Sequence, residues 1–290
     1  MGTTESMNPL AAAMYFLAAA GISMFSMNPV ILALSFMGAV IYYLCRHGTK
    51  NAKTHLYSLL LFAVMAVINP LVNHNGVTVL FVMNDKPVTL EALIFGIAAS
   101  GMIISVLYWF KSFTEIMTSD KLLYIFGGLS PKLALVLSMA LRFVPMFSEQ
   151  MKKTERTQRA MGLYKDDNIV DTFKGKLNIF SIIITWGLEN GIITADSMTA
   201  RGYGTAKRSR YSLFGIRRGD VCFMIITAVL FSLTLYGISS AEFTYYPHIV
   251  FSAPDFKSIT GYCAYGMLCL LPSILEIKEA LRWKYLKSKI

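Results

Sequence analysis

The side chains best suited to do chemistry lie in the middle of this chain, and their chemistry is recognition. Ala200-Arg201-Gly202 closes an apolar helical stretch and opens a basic loop. Arginine in the last helical turn suits the helix dipole, and its planar fork can grip a carboxylate. Glycine can take the left-handed conformation that ends a helix, and alanine leaves room for close backbone approach. A second stretch ends similarly, at Arg159-Ala160-Met161-Gly162. On helix-end chemistry alone, Arg201 does no more than cap its own helix. The repeat, within one polar region, points instead to two docking tips.

The residue types for other chemistries are poorly arranged. The G-x-x-x-x-G-K-[ST] phosphate loop is absent, so ATP hydrolysis by this chain is not expected. The four histidines form no HxxxH or HxH pair, and Cys45, Cys222, Cys263 and Cys269 lack metal-ligand spacing. The cysteines read as free, buried thiols. No cofactor or metal site is expected. Asp120-Lys121 and Asp166-Asp167 have no nucleotide-binding context and read as solvated turn charges.

The elements that carry the two tips are set by composition. Of 290 residues, 55% are hydrophobic and 15% charged, and the mean hydropathy is +0.52. These values describe an all-α polytopic membrane protein. Residues 1–10 contain Glu5 and no basic residue, unlike a cleaved signal. About six apolar segments stand out, at 10–25, 29–44, 56–72, 90–110, 221–239 and 259–277. The first two meet at Asn28-Pro29 and read as a hairpin, with one long kinked segment as the alternative. Alternate connections hold every Lys and Arg except Lys86 and Lys257. The positive-inside rule then puts residues 111–220 and both termini in the cytoplasm. The net charge of +10 is mostly topology, with attraction to anionic lipid and no nucleic-acid role.

The chain therefore divides into N-terminal transmembrane helices (1–110), cytoplasmic or membrane-surface coupling helices (111–220), and C-terminal transmembrane helices with a basic tail (221–290). In the middle division, Ser130-Pro131 is a good helix start. An apolar half and then a charged half follow, with Arg142 and a kinking Pro145 on the way, and the helix is expected to end near Gly162. A second amphipathic helix is expected over 177–201, with Ile179, Ile182, Ile183 and Trp186 on one face.

The string Ala195-Asp196-Ser197-Met198-Thr199-Ala200-Arg201-Gly202-Tyr203-Gly204 resembles the signature of the transmembrane (T) component of energy-coupling factor transporters, the CbiQ/EcfT-like family. Residues 69–80 resemble the loop after that family's third span. Residues 129–162, with Leu141-Arg142-Phe143-Val144-Pro145, resemble its long coupling helix. Roughly the last three-quarters of the chain is recognisable. The resemblance implies that two helices insert into grooves on a pair of ABC ATPases. Ala200, Arg201 and Gly202 then form the second signature, and Ala160, Met161 and Gly162 the first. Met161 stands where arginine is often found, and Arg159 is an alternative source of charge that leaves the helix in another direction. A membrane-embedded substrate-binding S component is the implied third partner and carries specificity for a vitamin or a transition-metal ion. The implied location is a bacterial or archaeal cell membrane. The rival readings are a self-sufficient secondary transporter, which needs a polar midplane site, and a membrane-embedded enzyme, which needs a catalytic constellation.

Other residues have plainer readings. His74, with Asn73 and Asn75, reads as turn-forming, and Glu91 as a charge complementing its helix dipole. The run of small residues from Gly96 to Gly101 permits close helix packing. Trp109, Trp283, Tyr245 and Tyr246 fit interfacial anchoring. No substrate pocket is expected within the chain.

Overall fold

The computed structural model describes residues 7–48, 52–73, 75–83, 86–163, 169–205, 214–240, 243–251 and 255–287. His74, Asp166-Asp167, Lys50 and Lys289 lie outside them. Helix α1 spans Pro9–Phe25, α2 Pro29–His47, α3 Ala52–Val72, α4 Leu90–Ile116, α5 Ser119–Leu129, α6 Pro131–Ala160, α7 Ile169–Ala200, α8 Arg218–Ile238 and α9 Phe256–Lys287. Two small antiparallel hairpins accompany them. Strands β1 (Val79–Met83) and β2 (Lys86–Thr89) pair before α4, and β3 (Phe243–Thr244) and β4 (Val250–Phe251) pair before α9. An all-α chain was expected, and these short hairpins are its only sheet among the described residues.

Helix starts follow the sequence closely. Asn8 and Asn28 each cap a helix, their side-chain oxygens accepting from Leu10 N and Val30 N at 3.0 Å, with proline at the first helical position. Ser26–Asn28 thus separates two helices, and the long kinked alternative is ruled out. The third Asn-Pro pair, Asn69-Pro70, falls inside the last turn of α3 and starts nothing. Ser130 occupies the cap of α6 ahead of Pro131, yet its side chain makes no capping hydrogen bond.

The chain forms two compact units, Met1–Leu122 with Phe214–Ile290, and Leu123–Leu213. In the first, α4 packs against α1, α2 and α3, while α9 packs against α2 and α8. Trp109 on α4 is fully buried at the centre. Its ring meets Tyr15, Phe16 and Tyr42 at 6.0–6.2 Å, and its indole N–H donates to Ser35 Oγ at 3.1 Å. The interfacial role expected for Trp109 is therefore corrected: a partner for the N–H lies on α2, so burial leaves nothing unsatisfied. Tyr245 is likewise buried, donating to the Met27 carbonyl at 2.8 Å and packing on Phe95 and Phe243, and its hydroxyl is pushed up to about 12 by that burial.

Tyrosines tie the first and last helices reciprocally. Tyr15 on α1 donates to the Leu268 carbonyl at 3.0 Å, and Tyr265 on α9 donates to the Ala19 carbonyl at 3.2 Å. Gly237 and Gly261 let α8 and α9 approach so closely that a Cβ on either would overlap the other's backbone. Of the cysteines, only Cys269 is buried; Cys45, Cys222 and Cys263 are exposed, which corrects the expectation of buried thiols. Apolar helices in lipid have no reason to turn a thiol inward.

By length and apolar character, α2, α3, α4, α6, α7, α8 and α9 are each long enough to cross a membrane, and α1 falls just short. The six expected segments correspond to α1 to α4, α8 and α9. The two additional helices, α6 and α7, are the least hydropathic of the seven.

Candidate coupling site

Both candidate tips lie in the second unit, at the ends of α6 and α7. They close with the same hydrogen-bond pattern. At the first, the Gly162 N–H donates to the Arg159 carbonyl and the Leu163 N–H to the Gln158 carbonyl, each at 3.1 Å. At the second, the Gly202 N–H donates to the Thr199 carbonyl at 2.9 Å and the Tyr203 N–H to the Met198 carbonyl at 3.0 Å. This is the Schellman ending, and it demands a left-handed residue after the cap. Gly162 at φ 70° and Gly202 at φ 80° supply it.

The cap position itself is filled by Met161 in one helix and Arg201 in the other. Both are exposed, Met161 at 68%. Ala160, Gly162, Ala200 and Gly202 are exposed beside them. Arg201 has no side-chain partner among the described residues. Arg159 is different: its Nε and Nη2 reach one oxygen of Glu155 at 3.3 and 3.0 Å, one turn back. The pair is about half exposed, so Glu155 holds Arg159 against its own helix with an interaction worth only about 0.3–0.5 kcal/mol. Met161, then, is the residue that the first tip presents in the position Arg201 takes in the second.

The two helices meet around Phe147. Its ring lies 5.8 Å from Trp186, edge to face, and stacks on Phe143 at 5.7 Å. Ile179 and Ile183 are buried and pack against it, and a Cβ at Gly187 would sit 2.8 Å from the Phe147 ring. Ile182, expected on the same face, is 39% exposed. The helix α7 begins at Ile169, eight residues before the expected start, because Ile169, Val170 and Phe173 extend its pattern beyond Lys174 and Lys176.

Elsewhere, the residues of the loop before α4 serve the fold. Glu91, in the first turn of α4, accepts from Thr78 Oγ1 at 2.6 Å and from Thr78 N at 3.3 Å. Thr89 caps α4 and donates to the Asn75 carbonyl at 2.6 Å. Glu91 thus ties the loop to the helix start, beyond the dipole role expected for it. The small residues of α4 do two jobs: Gly96 lies tight against α3, where a Cβ would meet Asn69 Cβ at 3.0 Å, while Gly101 faces open space.

That space is a cavity of about 590 Å³ between α2, α3 and α4. Sequence reasoning missed it, since apolar residues around a gap look like apolar residues in contact. Its only polar flank is His55, Ser58 and Tyr108, with Tyr108 Oη 2.8 Å from His55 Nδ1 and 2.7 Å from Ser58 Oγ. Among the described residues no group of three or more His, Cys, Asp or Glu could hold a metal ion.

The helices and the tips describe a multi-pass membrane protein with two solvent-facing helix ends of matched geometry. Comparison with known proteins agrees. The chain is 32% identical over 104 residues to the energy-coupling factor transporter transmembrane protein EcfT of Listeria innocua, covering 35% of this chain and 39% of that protein. It is 32% identical over 99 residues to EcfT 1 of Listeria monocytogenes, covering 32% and 37%. It is 30% identical over 106 residues to EcfT of Lactobacillus helveticus, covering 36% and 38%. The match spans less than two-fifths of the length of these curated relatives. No family model matches the chain. The chain is thus similar to EcfT proteins, as the Ala-Arg-Gly signature suggested.

Proposed function

We propose that this chain is the non-catalytic transmembrane scaffold of an energy-coupling factor importer. It transmits ATP-driven closure of two ABC ATPases to an S component that takes up a vitamin or a transition-metal ion. The observation that carries this reading is the pair of matched tips. Two helices of one unit end in the same glycine-closed cap and present Met161 and Arg201 outward, as two grooves on a pair of similar partners would require. The similarity to EcfT proteins supports it independently.

On this reading Arg201 forks onto a carboxylate in one ATPase, and Met161 enters the other groove through apolar contact. Truncating one side of a buried charge pair costs about 2–5 kcal/mol of binding. Removing the Met161 side chain costs about 1–2 kcal/mol. Arg201→Ala is therefore expected to weaken ATPase capture more than Met161→Ala, and Arg201→Lys to restore it only in part, because lysine lacks the planar fork. The double variant should be worse than either. The measurement is ATPase copurification and substrate uptake across the four variants. Normal capture and uptake in Arg201→Ala would remove the coupling role.

A further inference from the structure

The cavity between α2, α3 and α4 has the shape of a chain. On α2 its lining runs from Pro29 to Val40, and on α4 from Ile94 to Tyr108. At the helical rise per residue these spans are about 16 and 21 Å. One leaflet of a bilayer has a hydrocarbon depth of about 15 Å. The cavity is therefore a slot, about one leaflet deep, running along the helices. It can be reached from the side, past Phe36, Leu59 and Ile97, which are 39%, 66% and 46% exposed.

Its polar groups are gathered at one end. Ser58 Oγ donates to the His55 carbonyl at 2.9 Å. Donation from Tyr108 Oη to Ser58 Oγ, and from His55 Nδ1–H to Tyr108 Oη, then satisfies all three hydroxyl and ring protons in one direction. His55 Nε2 is left buried and without a partner. A cation stands beside this group. The Lys111 ammonium lies 4.9 Å above the Tyr43 ring and 3.0 Å from Thr54 Oγ1. The Tyr43 ring in turn is 5.3 Å from His55 and 5.4 Å from Tyr108. Lys53, two residues before His55, is exposed.

We infer that this slot holds one acyl chain of an anionic bilayer phospholipid, with the head group at the His55, Tyr108 and Lys111 end. Three observations select that occupant. The lining is apolar along its length, as an acyl chain requires, and apolar cavities stay dry until an apolar ligand fills them. The polar and cationic groups are confined to one end, matching an amphiphile with one charged end. The slot's extent of about 16 and 21 Å along α2 and α4 is close to the depth of one leaflet, about 15 Å, as a single acyl chain requires. The inference does not depend on the coupling role of the tips.

The test uses the full chain in vesicles of phosphatidylcholine with a minor fraction of phosphatidylglycerol. The probe is phosphatidylglycerol with a photoreactive group on one acyl chain, and labelled peptides are identified by mass spectrometry after detergent extraction. Labelling is expected on α2 and α3 around Phe36 and Phe62. Gly101→Phe fills the slot, and a Cβ there meets nothing within 4 Å, so the fold should tolerate it and labelling should fall about tenfold. Ala98→Leu, also on the lining, repeats the test if Gly101→Phe fails to fold. Lys111→Gln should cut the preference for phosphatidylglycerol over phosphatidylcholine about fivefold. Labelling unchanged by Gly101→Phe and Ala98→Leu would mean bulk lipid only. Crosslinks from Phe36 and Phe62 to a copurified membrane protein would assign the slot to a protein partner. Retention of a photoreactive fatty acid but not of the phospholipid would mean a free acid. Each of these three results overturns the inference.

Discussion

Gly162 and Gly202 carry the geometry of the two tips, because nothing else at those positions satisfies the last carbonyls of α6 and α7 without strain. A Cβ at φ 80° costs about 1–2 kcal/mol, and Gly202 holds that angle. Gly202→Ala is therefore expected to loosen the final turn of α7 while leaving the rest of the chain folded. Hydrogen exchange should report this as faster exchange at the Gly202 and Tyr203 amides, which donate to Thr199 and Met198. Gly202→Asn should exchange less rapidly than the alanine variant, since asparagine tolerates the left-handed region better. Unchanged exchange in Gly202→Ala would show that the cap does not set this turn. The two helix ends were legible in sequence because Ala-x-Gly at the close of a helical pattern is a local signal. The role of Arg159 was not, because a choice between Glu155 and a partner depends on a rotamer. Nor was the burial of Trp109: a tryptophan near the end of an apolar span looks alike whether it faces lipid or the Ser35 hydroxyl.

At the scale of elements, α6 and α7 meet around one contact, well back from their tips. Ala160 lies thirteen residues beyond Phe147, and Ala200 seventeen beyond Ile183. These distances are about 20 and 26 Å of helix. The contact itself is small, being Phe147 seated opposite Gly187 and against Ile179, Ile183 and Trp186. A slight change of crossing angle there is magnified at Met161 and Arg201. Gly187→Val places two methyl groups where the Phe147 ring now lies, at a cost of about 1–3 kcal/mol from overpacking. Under the proposed coupling role, the expected result is that ATPase capture is kept, since both tips remain intact, while uptake per ATP hydrolysed falls. Undiminished coupling would mean that the arms do not act through this crossing. The periodicity of Ile179 and Ile183 was visible in the sequence. What it could not give was the opposing niche, because Phe147 and Gly187 are forty residues apart and neither position is unusual on its own helix. The same limit hid the slot, where Gly96 and Gly101 on one helix face a tight contact and a void.

At the scale of the whole molecule, the open choice is whether α6 and α7 cross the membrane. Their length and apolar content permit it, and their low hydropathy among the seven long helices argues against it. Crossing by both would leave the parity of the remaining helices unchanged, so the sidedness of α8 and α9 cannot decide the matter. The turn after α6 can. If the two helices run along the surface or out into the cytosol, Leu163 stays on the same side as the basic connection after α2. If they cross, Leu163 emerges on the opposite face, together with the β1–β2 hairpin. Leu163 is 67% exposed, so a cysteine there should be reactive wherever it lies. The positive control belongs at Val77, 56% exposed in the loop before β1. Gly76 is unsuitable, since its φ of 131° and the Glu91 carboxylate 2.6 Å from a Cβ leave no room for a side chain. The native thiols Cys45, Cys222 and Cys263 are exposed and must first be replaced by serine or alanine. With an impermeant thiol reagent on intact cells, Val77→Cys is expected to react and Leu163→Cys to react only after the cells are opened. The basic residues near the turn between the two helices, Lys152, Lys153, Arg156, Arg159, Lys165, Lys174 and Lys176, argue for this outcome, because carrying them across a membrane is opposed by the positive-inside bias. Labelling of Leu163→Cys in intact cells would place the first tip outside, where no ATP-driven partner can reach it.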